Sequence, residues 1–294
     1  MDKKIYNYII IAISVISFIS LIWVLGVMVW RDLAKEPPVI VDVKSEAIEV
    51  VEPVLTRADN EYFAGKKLVA FTFDDGPNFK VTERLLDEAA KRDAKLTFFM
   101  VGNRLEKQAD LVKRVYDEGH TVGNHSFSHK NLNRLSVEGY LYEIDHTNQL
   151  LKNITGQDVK FLRPPYGNYT KNILANVNMT FILWNVDTLD WKSRNAQMVY
   201  EEAIKDIEDG DIVLFHDLYE TSVDGAIMAM DYLATQGFAF VSLDEMYRLR
   251  GIPIEKNMAL RHFNLPEPEP EPETAIPEAT TQENNVEQEK ETSS

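Results

Sequence analysis

Leu68-Val69-Ala70-Phe71-Thr72-Phe73-Asp74-Asp75-Gly76-Pro77 is an apolar run that ends on two adjacent carboxylates and a turn-forming Gly-Pro pair. The apolar part reads as a buried strand, so the carboxylates stand at its mouth, where α/β proteins keep their chemistry. Outward from it, strand-like and helix-like segments alternate. Leu96 to Val101, His120 to Val122, Phe181 to Val186, Ile212 to Phe215 and Phe238 to Val241 read as strands. Val81 to Arg92, Gln108 to Glu118, Val137 to Lys152, Gln197 to Glu208 and Val223 to Thr235 read as helices. Such alternation implies an α/β fold with a parallel sheet and right-handed crossovers, open or closed into a barrel. Residues 66–250 span about 185 positions, whereas a full eight-unit barrel needs about 250, so fewer than eight regular units are expected.

Both ends of the chain have a different character. Tyr8 to Trp30 contains no charged side chain, and its 23 residues would span about 34 Å as a helix, enough to cross a bilayer core. A transmembrane anchor is expected. A cleaved signal peptide would need a small-residue cleavage site, which Val27-Met28-Val29-Trp30 does not supply. Lys3 and Lys4 precede the span and Arg31 and Lys35 follow it, so the positive-inside count is nearly tied, and the start-proximal pair favours a cytoplasmic N-terminus. At the other end, residues 264–294 carry nine Glu against one Lys, which is half of the formal net charge of −16. The Pro-Glu repeat there lacks aromatics and is expected to be a disordered acidic tail. The expected organisation is a cytoplasmic segment (1–7), an anchor (8–30), a stalk (31–65), one folded domain (66–252) and the tail (253–294). No basic stripe exists to neutralise phosphates, which argues against nucleic acid, and no protein partner is legible. The chain has no cysteine, so any metal must be held by His and carboxylates.

Several residue types with chemical uses fall after the strands. His125 and His129 are four apart with Ser126 and Ser128 between them, a spacing that can turn two imidazoles toward one ion on a helical turn. Asp74 and Asp75 would point to opposite sides in extended backbone, which suggests separate jobs: one binds the ion, the other accepts a proton from water. Alone, Asp-Asp-Gly-Pro is also a plain turn. His216, at the end of a buried run, is either a general acid or a core histidine. Asp190 is either its orienting carboxylate or a solvated loop acid, and Trp191 is a pocket wall or core. Arg163, before Pro164-Pro165, is either the partner of a catalytic carboxylate or an ordinary ion pair. Together these groups describe a metal-dependent hydrolase.

The ordered blocks Thr72-Phe73-Asp74-Asp75-Gly76-Pro77, His125-Ser126-Phe127-Ser128-His129, Arg163-Pro164-Pro165-Tyr166-Gly167, Asp187-Thr188-Leu189-Asp190-Trp191 and Leu214-Phe215-His216 resemble the polysaccharide deacetylase family, also called the NodB-homology or carbohydrate esterase family 4 domain. The resemblance implies a distorted (β/α) barrel that hydrolyses the acetamide of an N-acetylated sugar. It implies Asp75, His125 and His129 as the metal triad, usually for Zn²⁺, with Co²⁺ or another divalent ion as alternatives. It also implies Asp74 as general base, His216 as general acid and the Tyr166 backbone N–H as oxyanion donor. By the same similarity Arg163 positions Asp74, Asp190 tunes His216, and Trp191 and Leu214 line a pocket for the acetyl methyl. With an anchor and stalk, the expected location is the outer side of a bacterial cytoplasmic membrane, as a single-pass protein. The nearest polymer there is peptidoglycan, and the segment Trp184 to Trp191 resembles that of peptidoglycan N-acetylglucosamine deacetylases. Chitin, poly-N-acetylglucosamine and xylan remain alternative substrates. The rival of another class is a wall-glycan-binding protein without activity.

Overall fold

The computed structural model describes residues 56–58 and 60–263. Residues 8–30, expected to be an anchor, lie outside this range, as do most of the expected stalk and residues 264–294. Among the described residues no helix is long and apolar enough to cross a membrane.

Among the described residues nine strands form one parallel sheet: β1 (Lys67–Asp74), β2 (Thr97–Met100), β3 (Thr121–Asn124), β4 (Phe161–Leu162), β5 (Thr180–Ile182), β6 (Val186–Asp187), β7 (Ile212–His216), β8 (Phe238–Phe240) and β9 (Ala259–Leu260). Their order is β6-β7-β1-β2-β3-β4-β5-β9, with β8 paired to the lower half of β1. The long crossover helices are α1 (Phe79–Lys91), α2 (Ala109–Asp117), α3 (Val137–Thr155), α4 (Ala196–Ile204) and α5 (Glu220–Thr235). Three of the five begin where a capping signal is written: Asn78, Ser136 and Asn195 accept from backbone N–H groups of the first turns of α1, α3 and α4.

β1 explains how the fold aims its chemistry. It is buried on both faces, so its sequence is almost continuously apolar. Val69, Phe71 and Phe73 pack with α1 and α5 residues such as Leu85, Leu86 and Met230, while Leu68 and Ala70 join Phe99, Ile182 and Ile212 in the interior of the curl. By the same alternation Thr72 and Asp74 face the interior. β7 has the matching pattern, with Val213 and Phe215 outward and Ile212, Leu214 and His216 inward. Asp74 and His216 are register partners on neighbouring strands and therefore project side by side.

The sheet curls into a half-barrel, and the seam between its ends is where expectation and structure part. Phe181 to Val186 is not one strand. β5 pairs with β4 and β9, β6 pairs with β7, and only Leu183 to Asn185 join them. Four Cα steps reach at most about 15 Å, so the two ends of the sheet are brought close. The gap is bridged by residues expected to belong to the tail. Leu183 N–H donates to Leu260 O (2.8 Å), Phe263 N–H donates to Gly210 O (2.7 Å), and Phe263 is buried against Tyr247. Residues 253–263 are thus part of the folded body, and the boundary at 252 is corrected. The domain also starts before residue 66: Arg57 holds Glu245 at 2.7 Å, and Phe63 is core. A helix over Leu243–Arg250, closed by a Ser242–Glu245 capping box, was not anticipated either.

Candidate active site

The strand ends carry the predicted residues into one cleft of about 410 Å³, lined by Asp74, Asp75, His125, His129, Tyr166 and His216 together with Trp191 and Leu214. Asp75 has φ +72°, a left-handed conformation. This removes the expected divergence of the two carboxylates. Asp74 Oδ2 lies 3.7 Å and Asp75 Oδ1 3.5 Å from the same atom, His125 Nε2. His125 and His129 are not on a helical turn either. They occupy a loop after β3 in which Ser126 (φ +64°) and His129 (φ +55°) are left-handed, and Ser126 N–H donates to Asn124 Oδ1.

Asp75, His125 and His129 form a group of candidate metal ligands. Asp75 Oδ1 is buried and accepts no hydrogen bond, yet His129 Nε2 is 3.2 Å and His125 Nε2 3.5 Å away. Ligand atoms of a tetrahedral ion held at about 2.1 Å lie roughly 3.4 Å apart, so the spacing suits a divalent cation of Zn²⁺ size. The protonation of His125 fits as well. Its Nδ1 is 2.6 Å from the Arg163 carbonyl, which only accepts, so Nδ1 carries the hydrogen and Nε2 presents a lone pair. Burial pushes its pKa down to about 3, keeping it neutral.

Arg163 is fully buried, unlike a surface ion pair. Its guanidinium donates to Asp74 Oδ1 (2.8 Å), Thr72 Oγ1 (2.8 Å) and the carbonyls of Ile182 (3.0 Å) and Leu183 (2.8 Å), and it lies over the Phe99 ring. Asp74 is held in one orientation. Burial raises its pKa above the usual carboxylate value, with Arg163, His216 and His129 pulling the other way. Beside it, His216 Nδ1 is 2.8 Å from Asp190 Oδ1, and the His216 backbone N–H donates to Asp190 Oδ2 (2.7 Å). Asp190 is buried, not a solvated loop acid. Burial disfavours charge on His216, but the hydrogen bond and charge of Asp190, reinforced by Asp74 and Asp75, outweigh it and raise the pKa to about 9. Tyr166 takes φ +61° at the cleft edge, its ring against His129 with centroids 4.8 Å apart. Trp191 is half exposed, a wall and not core. A carboxylate held by an arginine and an imidazole held by a carboxylate therefore sit together beside a candidate cation site.

Four supporting residues were given no role of their own by the sequence reading. Trp184 and Asp187 also line the cleft. Glu143, on α3, accepts from Ser128 N–H and Oγ–H (2.6 Å each), fixing the loop that carries His129. Asp217 is fully buried, accepts from Thr82 Oγ1, and donates its backbone N–H to Asp74 O (3.3 Å). Its carboxylate presses on Gly76, where any Cβ would overlap it, so glycine is required at that point of the Asp-Asp-Gly-Pro turn. Burial pushes Asp217 up to about 7, opposed by the Thr82 bond and assisted by Asp75. Its position next to His216, at the end of a buried strand, was the signal available.

The profile of the polysaccharide deacetylase family matches residues 63–181. The peptidoglycan-N-acetylglucosamine deacetylase of Bacillus cereus is 36% identical over 190 residues, which cover 62% of this chain and 69% of that protein. The chain belongs to the polysaccharide deacetylase family. The peptidoglycan-N-acetylmuramic acid deacetylase PdaC of Bacillus subtilis is 36% identical over 185 residues. The match covers 63% of this chain and 40% of PdaC, so the chain spans well under two thirds of that relative. The solved structure of PdaC superposes with a TM-score of 0.62 at 36% identity, covering 64% of this chain and 93% of that one. A family 4 acetyl xylan esterase from Clostridium thermocellum, solved with a cobalt ion, superposes at 0.65 with 32% identity, covering 68% of this chain and all of that one. Family membership accounts for the shared parallel curl. It leaves the sugar open, because these relatives are named for different ones.

Proposed function

We propose that this protein hydrolyses the N-acetyl group of N-acetylglucosamine in peptidoglycan, releasing acetate and leaving an amine on the glycan, with a divalent cation as cofactor. The observation that carries the reading is the set of three convergent ligand atoms from Asp75, His125 and His129, flanked by an Arg163-held Asp74 and an Asp190-held His216. A bound Zn²⁺, or Co²⁺ in its place, would polarise the amide carbonyl and make water more acidic. Asp74 takes the proton of the attacking water, its orientation set by Arg163. His216 gives a proton to the departing amine. The Tyr166 backbone N–H serves as donor to the oxyanion, and Trp191 and Leu214 enclose the acetyl methyl. N-acetylglucosamine is favoured by the kinship with the Bacillus cereus enzyme and by the Trp184 to Trp191 segment that lines the cleft.

Purified peptidoglycan incubated with the protein should release acetate, lose that release on chelation and regain it with Zn²⁺. Mass spectrometry of the digested strands should put the lost acetyl on the glucosamine unit. Acetate release that survives chelation removes the metal from the mechanism, and release confined to chitin oligomers moves the substrate.

The roles also fix a pH profile. His216 must be protonated, and its raised pKa keeps it so below about pH 9; activity therefore falls as pH rises through that value. Asp74 must be ionised, so activity falls on the acid side at a pH above its ordinary value of 3.8. Asp190→Asn removes the largest raising influence on His216 and should move the basic limb of kcat/KM down by about one unit or more. An unmoved basic limb would take the acid role from His216.

A further inference from the structure

The loop that follows the metal-site histidines opens onto more than the catalytic cleft. That cleft shares Tyr166 with a second hollow of about 480 Å³, lined also by Lys130, Asn131, Arg134 and Leu135. The second shares Lys130 and Leu135 with a third of about 460 Å³, walled by Phe127 and Tyr142 and carrying the acids Glu138 and Glu143, so the anion-binding argument is confined to the middle hollow. The shared lining residues place the three hollows in succession, leading away from the candidate triad.

The middle hollow has a basic lining. No acidic side chain lines it, although the chain carries a net charge of −16. Arg134 is exposed and its guanidinium makes no hydrogen bond or ion pair among the described residues, whereas Arg84, Arg92 and Arg114 are each tied to carboxylates. Lys130 is 3.2 Å from Glu143, but the oxygens of Glu143 already accept from Ser128, and its side chain is only 4% exposed while that of Lys130 is 61% exposed. The hollow therefore offers net positive charge. Beyond it, Tyr142 is 58% exposed and fixed by stacking on His146 (centroids 5.3 Å, 17°) and by the edge of Phe127 (6.1 Å). A rigid aromatic face of this kind suits the apolar face of a sugar ring.

We propose that this succession of hollows is an extended glycan subsite in which Arg134, flanked by Lys130, binds a carboxylate carried by the polymer next to the sugar being deacetylated, and Tyr142 supports the unit beyond. The inference rests on the function proposed above and narrows its substrate class to acidic acetylated glycan. Neutral acetylated polymers offer Arg134 hydroxyl and carbonyl acceptors but no anion to pair with. A guanidinium pairs with a carboxylate through two parallel N–H donors, which fixes direction as well as affinity. On wall glycan the carboxylate has two sources: the carboxylates of the stem peptide, and the lactyl carboxyl of the neighbouring sugar where no peptide is amide-linked to it.

The test uses the full chain and its Arg134→Glu, Arg134→Lys and Tyr142→Ala variants. Sedimentation with insoluble wall sacculi measures binding, and acetate release measures kcat/KM on intact peptidoglycan, peptide-stripped glycan and neutral N-acetylglucosamine oligomers. Arg134→Glu should weaken binding to sacculi about tenfold and lower the ratio of kcat/KM on peptidoglycan to that on oligomers about tenfold, through KM. Arg134→Lys should recover most of the loss, and Tyr142→Ala should weaken binding to every polymer. An Arg134 effect confined to intact peptidoglycan assigns the stem peptide, one confined to stripped glycan assigns the lactyl carboxylate freed there, and one on both shows that the subsite takes either anion. Equal losses on neutral and acidic substrates, or no loss on either acidic one, overturn the proposal. Sacculi that bind in an Arg134-dependent way without releasing acetate would overturn the deacetylase reading and leave the anion subsite standing.

Discussion

Asp74→Asn is expected to lower acetate release by about 10²- to 10⁴-fold, the range for loss of a positioned general base, while the protein still binds a divalent ion. The separation of the two effects follows from geometry. Asp75 Oδ1, His125 Nε2 and His129 Nε2 converge without Asp74, whose Oδ1 is engaged by Arg163. Asparagine keeps a carbonyl oxygen for that guanidinium, so the fold should persist, but it cannot take up a proton at neutral pH. Isothermal titration with Zn²⁺ and turnover measured on the same sample provide the check. Full turnover with metal bound would remove Asp74 from the base role, and loss of metal binding would mean that it is a ligand.

The second large effect is expected at Arg163. Arg163→Ala leaves the Asp74 carboxylate buried without its counter-charge and frees the carbonyls of Ile182 and Leu183. Removing one partner of a buried pair costs about 3–5 kcal/mol, a large part of the stability of an ordinary domain. Urea unfolding should register a loss of that size. Pairing the change with Asp74→Asn should restore part of it, because the uncompensated charge is then gone. A loss below about 1 kcal/mol would show that Asp74 is protonated in the folded protein and does not need Arg163, contrary to its role as an ionised base.

Much of the fold is legible because its signals are local. Hydrophobic runs and amphipathic periods mark β1, β2, β3 and β7 and the helices α1 to α5, and asparagine and serine caps mark helix starts. The misses share a cause. β4, β6 and β9 have two residues each, too short to show a period, and they exist because neighbouring strands present free edges. Phe181 to Val186 reads as one apolar strand, but closing the curl requires the chain to leave β5 and rejoin at β7. Residues 259–263 look like the start of a polar tail because what they satisfy, the seam at Leu183 and Gly210, lies far away in sequence.

The candidate site divides in the same way. The residue types, their order and their placement after strands can be read from the chain, since a strand end and the group it carries are neighbours in sequence. That two aspartates face one histidine is decided only by the left-handed turn at Asp75 and by the Asp217 carboxylate packed on Gly76. That Arg163 is a buried clamp and not a surface charge is decided by Thr72, Phe99, Ile182 and Leu183, which only the curled sheet gathers around it. Local sequence determined which chemical groups are present and which strand carries each. Tertiary structure decided their directions, burial and protonation, because these depend on atoms brought together from distant parts of the chain.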